Sequence, residues 1–354
     1  MYFTQYICKG VRSVVGLFSK QRLGIDLGTA NTIIYIDNKG IALREPSIVA
    51  RNIHTGEIVA YGKEAAKLVG RTSDNIETIR PMRDGVIADF SLTKQMLSHF
   101  IKQAVHRSIS RPEVVICVPS SISKVERRAV IDAIKDLGIH RAMIIEEPFA
   151  AALGANLAIE EPRGKMVVDI GGGTTNIATI SYGEIVQGLS TRAGGSLMNE
   201  TIMTYVRNHY QLAVGDYTAE TIKIVLGNAK FSELDTSDKL KVRGRNVASN
   251  VPDEAYVEAR IVAEAVDEVV QLIVTSIKQV LELTPPELSA DIIENGIVLT
   301  GGGALLKRLP ERLFDEIGIP VHLSNVPLDC VAIGAGKMLK QLDAQSKIAE
   351  KKAR

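Results

Sequence analysis

Asp26 and Asp169 are the residues around which the sequence arranges its chemistry. Each closes an apolar run and is followed by glycine and other small residues, in LGIDLGTANTIIYI at 23–36 and MVVDIGGGTTNIATI at 166–180. Small side chains let backbone N–H groups approach phosphate oxygens. Thr29, Ala30 and Asn31 after the first acid, and Gly172, Gly173 and Thr174 after the second, are therefore candidate phosphate contacts. A carboxylate at the tip of each loop suits magnesium, which keeps several waters and needs few protein ligands. One glycine turn between strands is usually only a hairpin. Two related copies, 143 positions apart (26 to 169), point instead to a site shared by duplicated halves. The chemistry implied is binding of a magnesium-complexed nucleoside triphosphate, probed further by what the loops are not. Neither matches the GxxxxGK[ST] phosphate loop, and neither opens directly into a helix as a dinucleotide fingerprint does.

Two further segments fit that chemistry. Glu147 follows an apolar strand at 143–145 and opens an alanine-rich helical stretch reaching 155, where a carboxylate can position water for attack on a γ-phosphate. Gly301, Gly302, Gly303 and Ala304 follow a buried strand at 297–300; their bare backbone can border an adenine ring, or can simply turn a strand into a helix.

These residues need a scaffold of strands ending at one cleft. A chain of 354 residues predicts two domains with separate cores. Short apolar strands at 114–118, 143–145 and 297–300 alternate with helical patterns at 92–106, 123–137 and about 254–283, which predicts α/β domains with ligands beyond the strand ends. Ser123 and Glu126 form an S-x-x-E capping box, and Gly138 supplies the stop. The long third pattern carries Val257, Ile261, Ala265, Val269, Ile273, Ile277 and Val280 at three- and four-residue steps and ends at Pro285. Residues 39–85 and 196–254 are poorer in alternation and read as smaller subdomains inserted in each half.

Composition bounds the function classes. A net charge of +1 gives no electrostatic reason to expect nucleic acid, and an anionic ligand must be held locally. Three scattered cysteines, Cys8, Cys117 and Cys330, fit reduced thiols and a cytoplasmic protein better than a disulfide framework. No apolar run is long enough to span a bilayer. Residues 1–20 nevertheless combine Phe3, Tyr6, Ile7, Val14, Leu17 and Phe18 with Lys9, Arg12 and Lys20, the pattern of an amphipathic helix lying on an anionic membrane surface.

The order GIDLGTANT, EEPFAAALG, DIGGGTTNIA, TGGGALL and CVAIGAGK resembles the nucleotide-site and hinge segments of the actin, heat-shock chaperone and sugar-kinase superfamily. Within it the chain resembles the MreB family of bacterial actins, through REPSIVA, IRPMRDGVIADF, VPSSISKVERRAV and TPPELSADIIENGIVLTGGG, over about residues 22–340. The resemblance implies an actin-like, ribonuclease-H-like duplicated ATPase fold with the nucleotide cleft between two α/β domains. One would comprise 21–155 with 321–342, the other 156–320, flanked by the membrane segment 1–20 and a charged tail 343–354. It also implies ATP and Mg2+ as cofactors, self-association into filaments, and membrane proteins of the cell-wall elongation machinery as partners.

Carried over by motif, Asp26 and Asp169 face the metal, while Glu147 and Thr174 orient the hydrolytic water. Glu220, Thr221, Ile222 and Lys223 meet the nucleoside, and Gly301 to Ala304 border adenine. Three departures stand out: Asn176 where the family has an acid, Ser196, Leu197 and Asn199 in a usually more acidic segment, and HRSISR at 106–111 in place of bulky apolar residues. The first implies slower hydrolysis and the last places membrane affinity on the N-terminal segment. A small-molecule kinase on the same fold is the main alternative, but no sugar-recognition segment is evident. A chaperone is disfavoured because little sequence follows CVAIGAGK.

Overall fold

The computed structural model describes residues 21–339, apart from 106–111, 121, 140 and 233–237. The expectations for residues 1–20, for HRSISR and for the tail 343–354 lie outside the described residues. Among those described, no helix is long and apolar enough to cross a membrane.

The duplication expected from the two aspartate loops extends to both sheets. The first has the spatial order Gly40–Pro46, Asn31–Ile36, Arg22–Leu27, Glu113–Val118, Ala142–Glu146. The second repeats it as Glu184–Thr191, Thr175–Ser181, Lys165–Ile170, Ile297–Thr300, Val321–Leu323. In each, three antiparallel strands formed by consecutive chain are extended by two parallel strands. The central strands are nearly continuous apolar runs because both faces are covered.

Core residues divide accordingly. One cluster fills the first half around Leu23, Ile25, Phe100 and Ile116, and another fills the second around Met166, Ile202, Val266 and Ile273. A third joins the halves: Val115, Cys117, Val167 and Ala178, from both sheets, enclose the alanine-rich helix Glu147–Gly154 together with Val331 and Ala335 of the helical residues 330–339.

The sequence boundaries move in three places. Strand Gly40–Pro46 belongs to the main sheet, so the first insertion begins after it, with strands Val49–Asn52, Ile58–Tyr61 and Ile76–Ile79. Strand Val321–Leu323 pairs with Ile297–Thr300 in the second sheet, so the chain returns to the first half only after it. The long helix is Ala259–Leu283, not 254–283, because Pro252–Glu258 is held as a strand against Lys239–Asn246. Every stripe residue from Val257 to Val280 is buried as expected.

Local signals held where they were self-contained. Helix Lys124–Asp136 has the full capping box, with Glu126 N–H donating to Ser123 Oγ at 3.2 Å and Ser123 N–H to Glu126 Oε2 at 2.9 Å. Ser123→Ala is expected to cost about 1 kcal/mol, read as a lower urea midpoint at unchanged slope. An unchanged midpoint would mean that packing alone holds this helix end.

Candidate nucleotide site

The two loops have the same hydrogen-bonded turn. Gly28 N–H donates to the Asn31 carbonyl at 3.1 Å, and Gly171 N–H to the Thr174 carbonyl at 2.8 Å. Asp26 pairs in register with Ile33 and Cys117, and Asp169 with Asn176 and Thr300. The halves thus present both acids from equivalent places at the ends of their central strands, as the sequence spacing requires.

The loops meet face to face. A Cβ added to Gly172 would lie 2.5 Å from Ala30 Cβ, and one on Gly173 2.6 Å from Thr29 Oγ1. Glycine is therefore needed here for close approach of one half to the other. A third element, noted in the sequence only for its family resemblance within IRPMRDGVIADF and not as part of the site, touches both loops: the hairpin of Met82–Arg83 and Val86–Ile87. At its tip Asp84 and Gly85 have φ of 50° and 76°, a two-residue turn of the kind that favours Asp-Gly. Gly85 N–H donates to Thr29 Oγ1 at 3.0 Å, and its Cα faces Thr174 so closely that a Cβ would lie 2.9 Å from Thr174 Cγ2. The Asp-Gly pair was the available signal.

Glu147 is the first residue of helix Glu147–Gly154 and is buried, as are Asp169 and Thr174. Asn176, wholly buried, donates from Nδ2 to Glu147 Oε2 at 2.7 Å and to Thr174 Oγ1 at 3.4 Å, while its Oδ1 has no partner. Thr300 Oγ1 donates to Asp169 Oδ1 at 2.7 Å. Where the resemblance led to the expectation of an acid, position 176 thus places a neutral donor aimed at Glu147, beside the three acids Asp26, Glu147 and Asp169.

Crowded acids dominate the electrostatics. Burial, then Asp169 and Asp329, pushes the Asp26 carboxyl up to about 8, with only Arg44 opposing. Burial raises Asp169 to about 6 against the Thr300 hydrogen bond. Glu147 is pushed well above the carboxylate range by burial and by Asp26 and Asp169. Arg44 and its ion-pair partner Asp329, 285 positions apart, were not identified from the sequence. A cation between these acids would relieve the repulsion. Among the described residues no three or more His, Cys, Asp or Glu side chains form a metal cage. Two carboxylates, Asp26 and Asp169, would suit magnesium if phosphate oxygens and water completed its shell.

A stability consequence follows. In the unfolded chain these carboxyls ionise near pH 4, but in the folded chain Asp26 ionises only toward pH 8. Their contribution is intact below the unfolded value and is lost as pH rises through the folded one. Through Asp26 alone, the metal- and nucleotide-free protein should lose about 1.4 kcal/mol per pH unit from pH 5 upward, tapering as pH 8 is reached. Asp26→Asn should flatten that slope in thermal melts; an equally steep slope in the variant would locate the acids' penalty elsewhere.

The segment 220–223, expected at the nucleoside, divides by helical geometry. On helix Asp216–Leu226, Glu220 and Lys223 share one face, and Lys223 Nζ donates to Glu220 Oε2 at 2.8 Å and to the Gly195 carbonyl at 3.0 Å. Gly195 N–H in turn donates to the Gly171 carbonyl at 3.0 Å, tying this face to the second phosphate loop. Ile222 and Thr221 do not join them. Ile222 is fully buried in the second core, and Thr221 points outward with its hydroxyl on the Tyr217 carbonyl, because successive residues turn about 100° around the axis. In the glycine segment, Gly301 has φ of 82° and approaches Ile170 so closely that a Cβ would lie 2.3 Å from its carbonyl oxygen. Ala304 faces the core, Gly302 is exposed, and Gly301 and Gly303 are both half-buried.

Known proteins share this architecture along almost the whole chain. The cell shape-determining protein Mbl of Bacillus subtilis (strain 168) is 47% identical over 322 residues, covering 91% of this chain and 96% of the relative. The cell shape-determining protein MreB of Escherichia coli (strain K12) is 47% identical over 334 residues, covering 93% and 95%. The crystal structure of MreB5 of Spiroplasma citri bound to ADP superposes with a TM-score of 0.87 at 33% identity, covering 93% of this chain and 98% of the other. With residues 20–347 matching the MreB/Mbl protein family model and the duplicated actin-like fold in place, the chain belongs to the MreB/Mbl family.

Proposed function

We propose that this chain is an ATP-dependent, self-polymerising cytoskeletal protein. Its filaments lie against the inner face of the cell membrane, organise cell-wall synthesis and maintain rod shape, with slow ATP hydrolysis tied to their turnover. The observation that carries the reading is the meeting of two equivalent phosphate loops in one cleft with Glu147 buried beside them. The cell-shape role of named relatives and the ADP held by a solved one support it.

In this reading the N–H groups of 29–31 and 172–174 hold the phosphates, and Glu220 and Lys223 meet the nucleoside. Asp26 and Asp169 are the residues that would hold magnesium, and the ion would neutralise phosphate charge. Water attacks the γ-phosphorus as the bond to the bridging β–γ oxygen breaks, giving ADP and phosphate. Its proton passes to Glu147, at the oxygen not occupied by the Asn176 amide. Asn176 supplies orientation without a second base, consistent with slow turnover.

The test mixes purified protein with ATP, magnesium and anionic liposomes, and follows filaments by electron microscopy alongside phosphate release. Filaments on liposomes that require ATP are expected. Monomers under every condition, with phosphate transferred to a sugar, would overturn the reading. Deleting residues 2–18 should reduce liposome co-sedimentation at least several-fold while nucleotide binding persists; unchanged co-sedimentation would remove the anchor from the proposal.

A further inference from the structure

A line of side chains joins the two insertions and runs on to the second glycine loop. Arg80, on the first insertion just after strand Ile76–Ile79, pairs through Nη2 with Asp216 Oδ2 of the second insertion at 3.1 Å. Asn199, buried on helix Gly195–Tyr210, donates the same Nδ2 to Asp216 Oδ1 at 3.0 Å and to Glu220 Oε2 at 2.9 Å. Glu220 accepts from Lys223, and Lys223 donates to the Gly195 carbonyl. Gly195 and Ser196 then reach the second phosphate loop through N–H bonds to the Gly171 and Gly172 carbonyls at 3.0 and 2.7 Å.

Each link constrains the next. An amide nitrogen carries two hydrogens and no more, so Asn199 spends both on the two acids and fixes their separation. An aspartate at 199 could not do this, having no donor when ionised. Asp216 suits the first turn of its helix, where a negative group is favoured, and its second oxygen remains available to Arg80. Arg80 also precedes the hairpin whose tip touches both phosphate loops. The two walls of the cleft are therefore joined outside the site and inside it by one continuous stretch of chain.

From this we infer that Asn199, Asp216 and Arg80 are positioning residues: they hold the Glu220–Lys223 pair at the nucleoside and tether it to the opposite wall, so that nucleotide escape requires the Arg80–Asp216 pair to open. The inference rests on the nucleotide reading of the cleft. The pair is about 40% exposed on each side, 41% for Arg80 and 42% for Asp216, so opening it is easy and its effect moderate. An exposed ion pair shifts an equilibrium about two- to five-fold. The tether sets a residence time and does not seal the site.

Release of a fluorescent ATP analogue with magnesium, chased by excess unlabelled ATP, tests this directly. Arg80→Ala and Asp216→Ala should each speed release about two- to five-fold, and the double variant no more than either alone. Asn199→Asp should speed release further by also freeing Glu220, and in that background Arg80→Ala should add less than it does in the native protein, because Asp216 has lost the amide that fixes its carboxylate. Unchanged release in Arg80→Ala would overturn the tether. Equal acceleration by Arg80→Ala with and without Asn199 would overturn the relay. Arg80 is exposed, so its variant folds, and equal melting temperatures across the series separate positioning from unfolding. Absence of analogue binding by the unaltered protein would instead defeat the nucleotide reading itself.

Discussion

Replacing Glu147 by glutamine is expected to slow phosphate release about 10²–10⁴-fold while nucleotide affinity stays within a few-fold. The reason lies in what the side chain touches. Glu147 is 7% exposed and accepts the Asn176 amide at 2.7 Å, a contact glutamine can keep through its own carbonyl oxygen. What glutamine cannot do is take a proton from water. Because burial and the neighbouring acids raise the Glu147 carboxyl well above its usual range, its active form should become more abundant as pH rises. The native rate should therefore climb with pH where the variant's stays flat. Stability should not fall, since the substitution removes a buried acid that the fold disfavours in its charged form. Phosphate release and equilibrium binding, measured on the same samples from pH 6 to 9, separate the cases. Equal loss of binding and rate would make Glu147 a binding residue instead of a base, and filaments persisting longer in ATP would follow from the first outcome alone.

The site was legible where its chemistry is local to a short stretch. Asp26, Asp169 and their glycine turns could be read because a strand, a tight turn and a strand leave the same residue types twice. The Ser123 capping box was read for a similar reason: both of its hydrogen bonds close within four residues. The Arg44–Asp329 pair could not be read, because 285 positions separate its members and only the return of the chain after strand Val321–Leu323 brings them together.

The start of the long helix failed for an instructive reason. Val257 satisfies the helical stripe and is buried, but it is buried as a strand residue opposite Leu240; a period of 3.6 and a period of 2 can share a residue at an element's end. Ile222 was grouped with Glu220 and Lys223 by motif, whereas a helix places it in the core. Asn199 drew notice only as a missing charge. Its role as a double donor depends on Asp216 and Glu220 lying on the facing side of another helix.

Alanine at Gly334 is expected to destabilise the protein by about 3 kcal/mol or more, with Gly154→Ala of similar size. Two effects of opposite sign compete. Alanine is the better helix former by about 1 kcal/mol, and both glycines lie in helices. Against that, a Cβ on Gly334 would stand 1.8 Å from the Ala150 carbonyl oxygen, and one on Gly154 1.8 Å from that of Cys330. These are backbone atoms, which cannot rotate aside as a side-chain tip would. The helices must separate by more than an ångström, and Ala150, Ala151, Val331 and Ala335, which bridge the two halves, lose contact together. Overpacking therefore outweighs propensity. Gly215→Ala is the control, since nothing lies within 4 Å of its added Cβ and its φ of −88° is ordinary, so that variant should cost under about 1 kcal/mol. Urea midpoints rank the three; a Gly334 variant no less stable than the Gly215 one would mean that the crossing helices slide without loss. Because both clashes separate the same pair of helices, the Gly154/Gly334 double variant should fall well short of the sum of the singles. That shortfall would identify the glycine crossing as one contact between the two helices whose Ala150, Ala151, Val331 and Ala335 pack against both sheets.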